Sequence, residues 1–341
     1  MTDQRIALLG FGNVGQALVC LLGRKKDILL NDHGLNFTIT GIATARHGMA
    51  IDQAGIDTER ALQLISTSSK LDPLSSRPSM EDPFEFIRTC GADVLFESTP
   101  VNYADGQPAV NYLRTALETG MHAITANKGP VVHAYQELTE LAQKHGRKFY
   151  FESAVMDGAP IFSLFRQSLP AVVLRGFRGI LNSTTNLILT RMEAGDSFEK
   201  ALAYAQSMGI AETDPSGDID GWDAAVKVAA LVTVLMGIPL KPAEVDRTGI
   251  RNLTSEDILQ AHKQEKRWKL VCTARHEGQK VIGRVAPELV GPDSPLYGVN
   301  GTSSIVTFET DVLPQLSIIE GNPGPETTAY GLLADFINAT R

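Results

Sequence analysis

Over the first 150 residues, short apolar runs alternate with segments whose apolar positions recur every three or four residues. Ile6-Ala-Leu-Leu9 reads as a buried strand, and Val14, Ala17, Leu18, Leu21 and Leu22 then share one helical stripe. Phe37 to Ala43 and Ala92 to Phe96 read as strands. Val110, Leu113 and Leu117 mark a helix that stops at Gly120. His122 to Thr125 is a further strand. Pro130 suits the first turn of the next helix, which closes at Gly146, and Lys148 to Glu152 is again strand-like. Strands alternating with helices imply a parallel sheet covered on both faces. Residues 47–83 carry no clear period.

Beyond Glu152 the pattern changes. A strand over Val172 to Leu181 precedes helices at about Thr184–Glu193, Phe198–Ser207 and Gly221–Met236. Trp268–Arg275 and Lys280–Val285 flank a short turn and read as a hairpin, Ser304–Thr307 and Leu316–Ile319 add strands, and Thr327 to Ile337 is helical. The expected fold class is therefore α/β: a doubly wound parallel sheet over 1–150, followed by an α+β domain.

Composition narrows the picture. A length of 341 residues fits about two domains, and 43% apolar content supports a sizeable core. The net charge of −8, with no basic block, argues against nucleic-acid or anionic-membrane partners. Cys20, Cys90 and Cys272 form no C-x-x-C pair, which fits a reducing compartment without disulfides or a zinc site. The chain starts directly in strand-like sequence. Its longest uncharged apolar stretch, Val228 to Leu240, contains Pro239 and is too short to span a bilayer. A cytoplasmic protein is expected.

Gly10-x-Gly12-x-x-Gly15 lies between the first strand and the first helix. That context is the dinucleotide-binding fingerprint of a Rossmann-type sheet: a tight turn, close backbone approach to a pyrophosphate, and helix–strand packing. Gly10, Phe11, Gly12, Asn13, Val14 and Gly15 are expected at the cofactor, with Ser98 and Thr99 at a later strand end. The second strand ends Gly41-Ile-Ala-Thr-Ala-Arg46-His47, without the acid that holds a ribose 2′-hydroxyl. Arg46 suits a 2′-phosphate, which favours NADP, with NAD the alternative cofactor.

The densest chemistry is Ala205-Gln-Ser-Met-Gly209-Ile-Ala-Glu212-Thr-Asp214-Pro-Ser-Gly-Asp218-Ile-Asp220-Gly-Trp-Asp223-Ala-Ala-Val-Lys227. Asp214, Asp218 and Asp220 fall in a Gly/Pro-containing loop. Asp223 and Lys227 stand at i and i+4 on the next helix, whose continuation is almost wholly apolar. Taken alone they would be an ordinary ion pair; on a buried helix they point toward a cleft.

This stretch resembles the signature of homoserine dehydrogenase: Ala, three residues, Gly, then a spaced Asp-Pro, Asp, Gly, Asp, and Lys four positions later. Thr125-Ala-Asn127-Lys128 resembles the family's Thr-x-Asn-Lys element. Gly179-Ile-Leu-Asn182-Ser-Thr-Thr185-Asn186 resembles its Gly-Ile-Leu-Asn-Gly-Thr-Thr-Asn segment, with Ser183 in place of Gly. Asp246-Arg-Thr-Gly249-Ile250 and Lys269-Leu270 also match similar residues. The resemblance covers nearly the whole chain. It implies NAD(P)-dependent interconversion of L-homoserine and L-aspartate 4-semialdehyde, in threonine, methionine and isoleucine biosynthesis, by a homodimer.

Hydride transfer to an aldehyde builds negative charge on oxygen, so a nearby cationic acid stabilises and protonates it. The resemblance makes Lys227 that acid, oriented by Asp223. Glu212 and Asp218 would hold the substrate ammonium, and Lys128 would position substrate and cofactor. Glu152, Val155, Asp157 and Ala159 resemble a turn that holds a monovalent cation, Na⁺ or K⁺, through carbonyls. Met156-Asp157 stands where smaller residues are usual. Glu320-Gly-Asn-Pro-Gly324-Pro-Glu-Thr-Thr328-Ala329 resembles a turn leading to a helix that returns to the nucleotide domain. The domain expectation becomes 1–150 with 321–341 for the nucleotide, and 151–320 for catalysis, substrate and dimerisation. The length leaves no room for a C-terminal regulatory domain. A dehydrogenase of a related amino-acid aldehyde and a non-catalytic NADP sensor are the competing readings.

Overall fold

A computed structural model describes residues 2–278 and 280–341. The chain forms two compact units: Met1–Pro160 with Gly324–Arg341, and Ile161–Pro323. Along the first unit run β1 (Thr2–Leu9), α1 (Asn13–His33), β2 (Leu35–Thr44), β3 (Gly48–Ile51), α2 (Thr58–Ser66), α3 (Pro83–Thr89) and β4 (Val94–Glu97). Then come α4 (Ala109–Glu118), β5 (His122–Thr125), α5 (Lys128–His133), α6 (Tyr135–Lys144), β6 (Phe149–Tyr150) and α7 (Ser153–Met156). The sheet order is β3-β2-β1-β4-β5-β6, the arrangement of a doubly wound dinucleotide-binding sheet.

The apolar run of β1 has a simple cause. Alternate side chains enter different cores. Ile6 and Leu8 pack with Leu18 and Leu22 of α1, whereas Ala7 and Leu9 pack with Phe86 and Ala116.

Two expectations need correction. The sheet is not wholly parallel, because β3 pairs antiparallel with β2. The connection is a tight turn: Thr44 Oγ1 accepts the His47 N–H and donates to the Gly48 carbonyl, and Gly48 takes φ 78°. A strand joined so briefly cannot run parallel. The helix expected from Pro130 to Gly146 is two helices, α5 and α6. Ala134 between them leaves helical dihedrals (φ −141°, ψ 20°), and the His133 ring bonds the Tyr103 carbonyl. No Gly or Pro marks that corner, so the sequence gives no local sign of it. Residues 47–83, without a readable period, form β3, α2 capped by Asp57, and a 3₁₀ turn at Asp72–Leu74.

The second unit holds β7 (Leu174–Ile180), α8 (Ser183–Glu193), α9 (Phe198–Ser207), α10 (Ser216–Ile219), α11 (Trp222–Leu235), β8 (Asp246–Arg247) and α12 (Ser255–Lys263). It ends with β9 (Arg267–Glu277), β10 (Lys280–Val290), β11 (Ser304–Thr310) and β12 (Leu316–Glu320). Its sheet order is β12-β11-β7-β9-β10-β8. The ladder is antiparallel except at β10/β8. The hairpin is longer than its apolar pattern suggests, pairing Arg267 with Val290 through to Glu277 with Lys280. The helix α11 is buried nearly all round, as its composition requires.

Lys269 of β9 is fully buried. Its ammonium donates to Asn186 Oδ1 (3.1 Å), the Val299 carbonyl (2.7 Å) and Asn300 Oδ1 (3.3 Å), which ties α8 to the 299–300 loop. Burial pushes its pKa down to about 8.

The last helix, α13 (Pro325–Thr340), belongs to the first unit. Phe336 meets Phe96 edge-on at 5.8 Å, and Leu332 and Ala339 complete the core beside α1. Residues 151–160 lie in the same unit because α13 holds them. Asp335 accepts the Glu152 N–H (2.6 Å), and Ser153 Oγ donates to the Thr328 carbonyl (2.7 Å). Among the described residues no helix is long and apolar enough to cross a membrane.

Candidate active site

The glycine turn is built from the main chain. Gly10 takes φ 104°, and a Cβ there would lie 2.6 Å from the Ser98 carbonyl oxygen. A Cβ on Gly15 would lie 2.5 Å from the Gly10 carbonyl oxygen, so this glycine sets how closely α1 approaches β1. At Gly12 a Cβ would meet nothing within 4 Å; that space is open to a ligand. Gly12 is also the N-cap of α1, with no side-chain cap and no acid in the first turn. The helix therefore presents N–H donors and a positive dipole end, which fits a pyrophosphate. Phe11 is buried in the core and can offer a ligand only its backbone. Asn13 is exposed and Val14 half-buried.

Beside this turn, β4 and β5 end on a hydrogen-bond network. Glu97 is fully buried: Oε1 accepts the Thr99 N–H (2.7 Å) and hydroxyl (2.5 Å), and Oε2 accepts the Thr125 hydroxyl (2.5 Å). Burial pushes its carboxyl above the usual range, opposed by these donors. Thr125 Oγ1 accepts the Asn127 N–H, Asn127 Nδ2 donates to the Thr99 carbonyl, and Asn127 Oδ1 caps α5 at Gly129 N. Lys128 is the first residue of that helix, so Glu97 fixes the backbone that carries it. Ser98 Oγ donates to the Gly10 carbonyl at 3.2 Å. Glu97 is only weakly marked in the sequence. The available signal was a carboxylate ending a strand that is otherwise apolar.

At the end of β2, Arg46 is exposed in the turn. Its carbonyl accepts Lys70 Nζ (2.9 Å), and the His47 ring bonds the Ser69 carbonyl (2.9 Å). Lys70, also unnoticed in the sequence, adds a second cation beside Arg46.

In the second unit, Lys227 is largely buried. Its ammonium donates to the Leu181 carbonyl (2.6 Å) and pairs with Asp223 Oδ2 (3.2 Å), with side chains 15% and 11% exposed. Such burial excludes an ordinary surface pair. Asn182 Nδ2 donates to Asp218 Oδ1 (2.6 Å) and to Asp223 Oδ2 (3.0 Å). Burial first, then the Asp223 charge, push the Asp218 carboxyl above its ordinary value. Asp218 lies on the helical turn α10 rather than in open loop.

The other acids of the motif go elsewhere. Asp220 pairs bidentately with Arg251 (2.8 and 2.9 Å), and Asp214 accepts the Ser216 N–H. Glu212 is exposed, and among the described residues no hydrogen bond ties it to the Lys227 cluster.

Comparison with known proteins completes the picture. The homoserine dehydrogenase profile matches residues 160–337, and the profile of the homoserine dehydrogenase NAD-binding domain matches residues 10–152. This chain belongs to the homoserine dehydrogenase family. It is an NAD(P)-dependent oxidoreductase of the homoserine/aspartate-semialdehyde couple in amino-acid biosynthesis. An NAD(+)-dependent homoserine dehydrogenase of Pseudomonas canavaninivorans is 34% identical, covering 99% of this chain and 96% of its own. A homoserine dehydrogenase of Methanocaldococcus jannaschii is 36% identical, covering 98% and 97%. The crystal structure of a homoserine dehydrogenase from Thiobacillus denitrificans superposes with TM-score 0.84 at 29% identity, covering 100% of this chain and 74% of its own.

The turn at Met156-Asp157, where smaller residues are expected, is tied to the last helix. Asp157 takes φ 40°, and its carboxylate accepts the hydroxyls of Thr327 (3.3 Å) and Thr328 (3.0 Å) in the first turn of α13. Asp157 thus clasps the first turn of α13. Glu152, Val155 and Ala159 are buried in the same turn. Among the described residues no group of three or more His, Cys, Asp or Glu is placed to hold a metal ion.

Proposed function

We propose that Lys227 is the proton-transfer group of homoserine oxidation and aspartate-semialdehyde reduction. The observation that carries this reading is the buried ammonium held between Asp223 and the Leu181 carbonyl. A bound nicotinamide supplies the hydride acceptor or donor. Lys227 gives its proton to the developing alkoxide in reduction and takes it back in oxidation. Asp223 orients it. Asp218 and Glu212 bind the substrate ammonium, with Glu212 reaching the ligand from an exposed loop. Lys128, on a backbone fixed by Glu97 and Asn127, positions substrate and cofactor.

Gly10 to Gly15 with Ser98 and Thr99 hold the dinucleotide. Arg46, aided by Lys70, favours the 2′-phosphate of NADP. Asp157 spends its carboxylate on α13, so the turn of Glu152, Val155, Asp157 and Ala159 offers main-chain oxygen. That donor type suits Na⁺ or K⁺.

The enzyme works in the cytoplasm as a homodimer. Support for a second copy comes from the open face of the second sheet. There Arg178, Arg284 and Glu288 form an ion-pair network beside exposed Ile282, around a groove of about 560 Å³.

A spectrophotometric assay with homoserine and either NADP⁺ or NAD⁺, set beside a cofactor-binding titration, tests the reading. Turnover with preference for NADP⁺ is expected. Cofactor binding without turnover would make the protein a sensor. A wide preference for NAD⁺ would remove the Arg46 assignment.

A further inference from the structure

We propose that Asn182 is the positioning residue of the proton-transfer cluster. Its amide holds Asp218 and Asp223 side by side and, through Asp223, fixes the side chain of Lys227. This rests on the reading of Lys227 given above.

The orientation of the amide is forced. Asn182 is the N-cap of α8, and its Oδ1 accepts both the Thr185 N–H (2.9 Å) and the Thr185 hydroxyl (2.9 Å). The NH₂ end must therefore face the acids. It spends one proton on Asp218 of α10 and one on Asp223 of α11. Turned the other way, the amide oxygen would oppose two carboxylates and its NH₂ would face an N–H.

Residues 181 and 182 together grip Lys227. The Leu181 carbonyl takes the ammonium directly, and Asn182 anchors Asp223 Oδ2, the oxygen that pairs with Lys227. Two neighbouring buried carboxylates disfavour each other's ionised form; two N–H donors from one neutral amide favour it. The charged and titratable groups at the amide include, among the described residues, Asp218 from α10 and Asp223 and Lys227 from α11. The Cys272 thiol of β9 lies beside them, pushed up to about 12 by burial and therefore neutral. Without the amide, the pair would hold a proton at higher pH and Lys227 would lose its fixed partner.

Serine separates capping from this role, because it caps a helix well but cannot reach two carboxylates. For Asn182→Ser we expect unchanged cofactor binding and a melting temperature within a few degrees of wild type. We expect kcat to fall about tenfold or more, and the acidic limb of the kcat–pH profile to move up by about one unit. Asn182→Asp keeps both shape and cap, adds a third carboxylate, and should move the limb further in the same direction. A wild-type acidic limb in either folded variant overturns the proposal. Lys227→Ala is the control. If it abolishes turnover while the Asn182 variants keep the wild-type limb, Asn182 alone is misassigned. If it retains turnover, the reading of Lys227 fails and this proposal fails with it.

Discussion

The two proposed sites, one in each unit, are built from different material. The glycine turn of the first unit uses backbone donors, open space at Gly12 and close approach at Gly10 and Gly15. The Lys227 cluster of the second unit uses side chains from α8, α10 and α11, buried together and charged. A main-chain site tolerates most side chains and fails only where a Cβ would intrude. A buried side-chain cluster fails when any one partner is removed, because the others are left uncompensated.

Four measurements bear on that contrast. The largest effect is expected for Lys227→Ala, which should lower kcat by about 10²–10⁴-fold while cofactor affinity in the first unit stays intact. Near-normal turnover would end the side-chain reading.

Lys269→Met probes a buried charge outside the cluster. Its folded pKa of about 8 lies below the ordinary 10.5, so between these values the unfolded state binds more protons and stability rises with pH. Below pH 8 the buried ammonium is charged in both states, and this gain is absent. Methionine cannot titrate. Wild type should therefore gain up to about 3 kcal/mol relative to Lys269→Met as pH rises from 8 to 10.5, whichever is the more stable at pH 8. Urea melts at both pH values read it, and a constant gap would place the ammonium in a more solvated setting.

Gly15→Ala should destabilise the first unit by about 2 kcal/mol, because its Cβ collides with the Gly10 carbonyl. Gly12→Ala should leave the melting temperature unchanged and weaken dinucleotide binding by about tenfold, or about 1.4 kcal/mol. If Gly12→Ala instead unfolds the protein while binding per folded molecule is unaltered, the open space there belongs to folding and not to the ligand.

Much of this was legible in the sequence, and the illegible parts share a cause. The order of strands and helices in the first unit follows from local periodicity, which a short window contains. So does the glycine fingerprint, whose residues are neighbours. The i, i+4 spacing put Asp223 and Lys227 together for the same reason. The antiparallel return of β3 and the corner at Ala134 depend on hydrogen bonds to residues elsewhere in the chain. Glu97 is only weakly marked because its partners Thr99 and Thr125 straddle two strands. Asn182 was part of a motif, yet its task follows only from the arrival of Asp218 and Asp223, 36 and 41 positions later.

The sequence by itself determined the fold class and the dinucleotide fingerprint, because each is written in spacing along the chain, and its motifs carried the resemblance to the family. The tertiary structure decided which acids of one motif do what. In the sequence Asp214, Asp218 and Asp220 lie together in one loop, with Asp223 set apart only by its i, i+4 spacing to Lys227. Only packing sends the first to a turn, the third to Arg251, and the other two to a shared amide. It also decided that residues 151–160 belong with the first unit, since the clasp of Asp157 on Thr327 and Thr328 joins positions 170 and 171 apart. A carboxylate's role is set by its partners and its exposure to water, and both are properties of the folded neighbourhood.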